Sequence, residues 1–90
     1  MQRVTRTQLK LVCDRLNRLT NSPTVSYDGN IPQVGNYNIE RAYGGYALRR
    51  FTKQGEIDVF NMGYATAREM YNLIHAYVKG VESVLNNKGE

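Results

Sequence analysis

Tryptophan is absent from this 90-residue chain, and cysteine, histidine and proline are scarce: one Cys, one His and two Pro. Each shortage excludes something. A lone cysteine, Cys13, cannot form an intramolecular disulfide, so a reducing compartment, the cytoplasm, is expected. One His and one Cys are too few for a His/Cys zinc centre. No apolar run approaches the roughly 20 residues that span a bilayer. The opening MQRVTRTQLK has no continuous apolar stretch, so no secretory signal is expected either. P-loop, GxGxxG, GxSxG and EF-hand strings are missing, and Asp28-Gly29-Asn30 reads as a turn, not as part of a calcium loop.

The reactive side chains that remain do not converge. Cys13 falls in an apolar helical pattern and reads as a small buried hydrophobe, not a nucleophile. His75 shares its helical face with Arg68, Lys79 and Glu82, the wet side. An active site needs a pair or triad of cooperating groups. We therefore expect no enzyme activity, no catalytic residue, no cofactor and no metal.

What is present is positive charge and tyrosine. Twelve Lys+Arg face eight Asp+Glu, a formal +4, and there are seven tyrosines. The charge bias favours polyanionic partners, although it also serves solubility alone. The length fits one domain, 1–90, with a modest core.

Periodicity gives the elements. Leu9, Val12, Cys13, Leu16 and Leu19 recur at helical steps, and Thr5 with Gln8 makes a capping box, so a helix is expected over about 5–19. Arg6, Lys10, Asp14, Asn17 and Arg18 fall on its remaining surface, and Leu11 also points away from the apolar stripe. Asn21-Ser22-Pro23 ends it. A loop over 20–36 follows, with room for a short edge strand at Val25–Tyr27. Strands are expected at about 37–43, 46–52 and 57–62. Gly44-Gly45 forms the first turn, which sets Arg41 opposite Leu48 and Glu40 opposite Arg49. Tyr37, Ile39, Leu48, Ile57 and Val59 fall on one sheet face, and Ala42, Ala47, Phe51 and Phe60 on the other. Either face could meet the helices. The last helix, about 66–86, opens on a Thr66–Glu69 capping box. Its stripe runs Met70, Leu73, Ile74, Tyr77, Val78, Val81, Val84 and Leu85, with Gly80 at the edge permitting close approach. The expected fold is α+β, ordered α-β-β-β-α: a three-stranded antiparallel meander with two helices on one face.

That order resembles double-stranded-RNA-binding domains. Here, however, the connection between the first two strands is too short to reach a groove, so their binding mode does not transfer. A closer resemblance covers about 16–81. Leu16-Asn17-Arg18-Leu19-Thr20-Asn21-Ser22-Pro23, Gly35-Asn36-Tyr37-Asn38-Ile39, Ala42-Tyr43-Gly44-Gly45-Tyr46-Ala47-Leu48 and Arg68-Glu69-Met70-Tyr71 follow one another as in a family of small proteins encoded by tailed phages and prophages. The resemblance implies a setting, a phage gene expressed in the host cytoplasm, and no activity.

Two functions fit these observations. The first is an accessory protein that contacts nucleic acid through Arg41, Arg49 and Arg50 of the hairpin and through Tyr43, Tyr27 and Tyr64 in or beside turns. Arg3, Arg6 and Lys10 near the start of the first helix, and Arg15 and Arg18 later on it, add positive charge. The second is a protein-interaction module, either a homodimer or an inhibitor of a host factor. Its contacts would come from Leu11 and Val4 and from the tyrosine-rich hairpin.

Overall fold

A computed structural model describes residues 3–88. The order is α1 (Arg6–Leu19), β1 (Tyr27–Asp28), β2 (Ile31–Pro32), β3 (Tyr37–Ala42), β4 (Gly45–Thr52), β5 (Gly55–Asp58) and α2 (Ala67–Lys88). β3, β4 and β5 make the antiparallel meander, and β1 and β2 form a separate small ribbon inside the long loop.

Both helices start where their caps dictate. The Thr5 hydroxyl accepts from the Gln8 N–H (3.2 Å), and the Gln8 side chain accepts from the Thr5 N–H (2.8 Å). Thr66 and Glu69 repeat the exchange, so Thr66 is the cap of α2 and not its first turn.

The register differs from the expectation by one residue at the turn. The turn is Tyr43-Gly44, at φ +54° and +75°, and Gly45 is the first residue of β4. Arg41 therefore opposes Tyr46, Ile39 opposes Leu48, and Glu40 opposes Ala47. A close approach decides it. A Cβ on Gly45 would lie 3.0 Å from the Ala65 carbonyl oxygen and 3.1 Å from the Tyr64 Cβ, so glycine is needed in the strand. Tyr46 and Ala65 exchange backbone hydrogen bonds at that point (2.8 Å each).

The third strand is also shorter and earlier than 57–62. After one more ladder bond, from the Val59 N–H to the Leu48 carbonyl (2.9 Å), the chain leaves the sheet. The Asp58 carboxylate accepts from the Asn61 N–H (3.1 Å) and the Gly63 N–H (3.0 Å), and both residues take positive φ. This turn swings Phe60 to the helix side, against the Tyr77 ring at 6.0 Å. The edge strand expected at Val25–Tyr27 forms at Tyr27 only, as part of the ribbon.

The face carrying Tyr37, Ile39, Tyr46 and Leu48 meets the helices. Leu9, Val12, Cys13 and Leu16 of α1 and Met70, Ile74 and Val78 of α2 close the core over it. On the opposite face Phe51 is covered by the Tyr27 ring, edge-on at 5.3 Å. Asn17 belongs to this core and not to the wet side of α1. It is 1 % exposed, its Nδ2 donates to the Tyr37 carbonyl (2.9 Å), and its Oδ1 accepts from the Tyr37 N–H (2.7 Å). The amide thus pairs the free edge of β3 as another strand would. α2, at 22 residues, outruns the 14-residue α1, so Val84 and Leu85 extend past the core and are exposed. Open space surrounds Gly80, and no element approaches it closely.

Candidate functional site

The hairpin arginines separate. Arg49 lies on the face away from the helices, between two carboxylates. Its Nε donates to Glu56 Oε1 at 3.1 Å and stands 3.9 Å from Glu40 Oε2. Glu56 is the nearer partner, because Glu40 is displaced along β3 from the position expected for it. Arg50, on the helix side, packs its guanidinium 4.6 Å over the Tyr37 ring and donates to the Gly35 carbonyl. These two side chains are held by the protein's own groups.

Arg41 is placed differently. It is exposed near the hairpin tip, 5.9 Å from the centre of the Tyr46 ring. There it lines a cleft of about 560 Å³. Arg3 and Val4 of the segment entering α1 form one wall, and Gly44 and Tyr46 form another. Thr66, Ala67 and Arg68 at the start of α2 complete the lining. A narrower groove of about 240 Å³ lies between α1, the loop and β3, with Arg6, Lys10 and Asp14 on its helical side and Ile39 on its strand side. Ile39 of the groove and Arg41 of the cleft are two residues apart on the same face of β3, about 7 Å along one strand.

Together these hollows are lined by five cationic side chains, Arg3, Arg6, Lys10, Arg41 and Arg68, and by one carboxylate, Asp14. Among the described residues, 12 Lys+Arg stand against seven Asp+Glu, so these hollows hold four of a formal excess of five. Among the described residues, Arg3, Arg6, Lys10 and Arg41 make no ion pair, whereas Arg15 pairs with Glu82 (3.0 Å) and Arg49 with its two glutamates.

The tyrosines divide as well. Tyr37 is buried, its hydroxyl 3.3 Å from that of Tyr77, and its pKa is pushed up to about 12, chiefly by burial and then by the Tyr77 contact. Tyr27 is half exposed but spent on Phe51. Tyr43 is 94 % exposed and meets only the edge-to-face ring of Tyr64, at 5.4 Å. The Tyr64 hydroxyl donates to Glu40, and this bond raises its pKa. Cys13 is buried and donates to the Tyr37 carbonyl. Burial, followed by the nearby Asp14 charge, pushes its thiol up to about 12, far from a reactive thiolate. His75 is exposed and stacks on Tyr71.

Of the two side chains expected at a subunit contact, Val4 packs partly against the core and Leu11 is 61 % exposed over a shallow groove with Tyr71 and His75. No helix among the described residues is long and apolar enough to cross a membrane. Compared with known proteins, the chain matches no family model, no curated protein and no solved structure.

The residues brought together are thus Arg41 from the expected set, joined by Arg3, Arg6, Lys10 and Arg68. Arg3, Arg6 and Lys10 stand out in the sequence only as charges near the first helix. Nothing in the pattern tells that α1 lays them beside β3.

Proposed function

We propose that this is a non-enzymatic accessory protein that binds nucleic acid along the cationic edge formed by α1, β3 and the start of α2. The observation that carries the reading is the placement of most of the charge excess of the described residues in two adjoining hollows. A phosphate backbone is the polyanion whose repeat suits such a row, and counterion release on neutralising it drives association. A phage gene expressed in host cytoplasm, the setting implied by the motif succession, would meet nucleic acid there.

The test is fluorescence anisotropy with labelled oligonucleotides between 20 and 300 mM NaCl. Four neutralised phosphates correspond to a log–log slope of about −3 on a single strand. Arg6→Glu with Lys10→Glu should flatten it by more than one unit, whereas Arg49→Gln should leave it unchanged. Absence of binding at 20 mM salt would refute the reading.

A second reading, self-association, is favoured by one observation. Tyr77, Gly80, Val81, Val84 and Leu85 line an apolar groove on the overhanging end of α2. In an antiparallel pairing about a two-fold axis between Glu82 and Ser83, Leu85 of a second copy would sit over Gly80, where a Cβ would meet nothing.

A further inference from the structure

Tyr43 is the most exposed large side chain of the hairpin, and it occupies a backbone position that suits it poorly. At φ +54° it takes the first central place of a type I′ turn, where Asn, Asp or Gly is favoured and a bulky residue is strained. Its ring has an aromatic neighbour. Tyr64 meets it edge to face at 5.4 Å, and the Tyr64 hydroxyl is fixed in turn to Glu40 on β3. An aromatic ring, 94 % exposed, therefore projects from the tip of the hairpin. Gly44, next to it, and Arg41, two residues before it, line the arginine cleft on the other side of the hairpin tip from Tyr64 and Glu40.

We propose that the tip selects single-stranded nucleic acid, an unpaired base stacking on Tyr43 while the strand passes around the tip and sets a neighbouring phosphate in the cleft beside Arg3 and Arg41. The inference rests on the nucleic-acid reading above and narrows it. In a duplex the base faces are covered by their neighbours, so an aromatic platform has nothing to stack on. A single strand offers a π-face at every nucleotide and a phosphate one step away.

The experiment compares a labelled ten-nucleotide single strand with the blunt-ended duplex it forms with its complement, by anisotropy at 50 mM NaCl. Wild type should bind the single strand at least about tenfold tighter, the scale of one stacked base. Tyr43→Asn, which places a turn-favoured residue at the tip, should raise the melting temperature yet lower single-strand affinity about tenfold or more, with duplex binding unchanged. Tyr43→Phe should keep wild-type affinity. Equal salt-dependent binding of both forms, or Tyr43→Asn binding the single strand like wild type, would overturn the stacking proposal and leave the cationic edge standing. Failure of both oligonucleotides to bind at 20 mM salt would overturn both.

Discussion

Replacing Asn17 with alanine tests how the cationic edge is held in place. The Asn17 amide makes two hydrogen bonds to the backbone of Tyr37, at 2.7 and 2.9 Å, in a site 1 % exposed. Alanine removes both. The Tyr37 carbonyl keeps the Cys13 thiol at 3.2 Å, a weak donor, but the Tyr37 N–H is left with no partner among the described residues. A buried orphan donor costs about 1–3 kcal/mol, and the small void left by the amide adds to that. We expect a loss of about 3 kcal/mol from a total of order 5–15 kcal/mol. The chain has no tryptophan, so urea unfolding should be followed by circular dichroism at 222 nm. The midpoint should fall with the denaturant slope unchanged. Asn17→Leu, which restores volume but not the hydrogen bonds, should be nearly as destabilising. A loss below about 0.5 kcal/mol in both variants would show that Tyr37 does not depend on the amide and would refute the reasoning. Folded Asn17→Ala protein should also bind nucleic acid more weakly, because α1 would no longer be pinned beside β3.

Alkaline pH should unfold the domain through buried acids. The Cys13 thiol and the Tyr37 hydroxyl are raised to about 12 from 9.0 and 10.0, burial being the main cause for each. In the unfolded chain they ionise near those ordinary values, so above about pH 9 the unfolded state holds fewer protons. Stability present in full below pH 9 is therefore lost toward pH 12. Cys13→Ala should be about 1.4 kcal/mol less destabilising at pH 10 than at pH 8, read from urea curves, and an unchanged difference would contradict the burial argument. For self-association, wild-type protein at several hundred micromolar should sediment above the monomer mass. Leu85→Glu should return it to monomer with helix content intact, while Leu11→Glu should not; the reverse pattern would place the contact at Leu11.

The helices were legible because their signals are local. Thr5–Gln8 and Thr66–Glu69 lie within one turn, and the apolar stripe repeats at a fixed step. The sheet was legible in outline and misplaced in detail, because local turn chemistry favours Gly44-Gly45, while the turn that forms, Tyr43-Gly44, sets a tyrosine at positive φ. The choice between them lies with Ala65, 20 residues on, whose carbonyl leaves no space for a Cβ at Gly45. The end of the third strand depended on whether the Asp58 side chain faces solvent or captures the N–H groups of Asn61 and Gly63, and periodicity carries no trace of that. Of the expected site, Arg41 and Tyr43 were visible from the hairpin pattern. The contact of Arg49 with Glu40 was visible too, and its nearer partner, Glu56, was not, since the β4–β5 register brings Glu56 to it. Asn17 gave no signal at all: an asparagine in a helix usually faces water, and here it stands in for a missing strand.

A row of cations beside an edge strand has a plainer use that must be weighed. β3 has no strand neighbour beyond β4, and exposed edges invite pairing with other chains unless charge or cover blunts them. Edge protection, however, asks for little. One or two charges of either sign suffice, and Asn17 and Cys13 already occupy the Tyr37 end. The row extends well beyond the strand, to Arg3 ahead of α1 and to Arg68 on α2, and it gathers around a cleft and not along a ladder. The two roles respond oppositely to reversal of sign. Glutamates at positions 6 and 10 would guard the edge as well as Arg6 and Lys10 do, leaving the protein equally soluble. They would repel a phosphate backbone. A protein that stays soluble and folded with Arg6→Glu and Lys10→Glu, yet loses its salt-dependent binding, has its charges there for a ligand. Edge protection alone would leave nothing to lose.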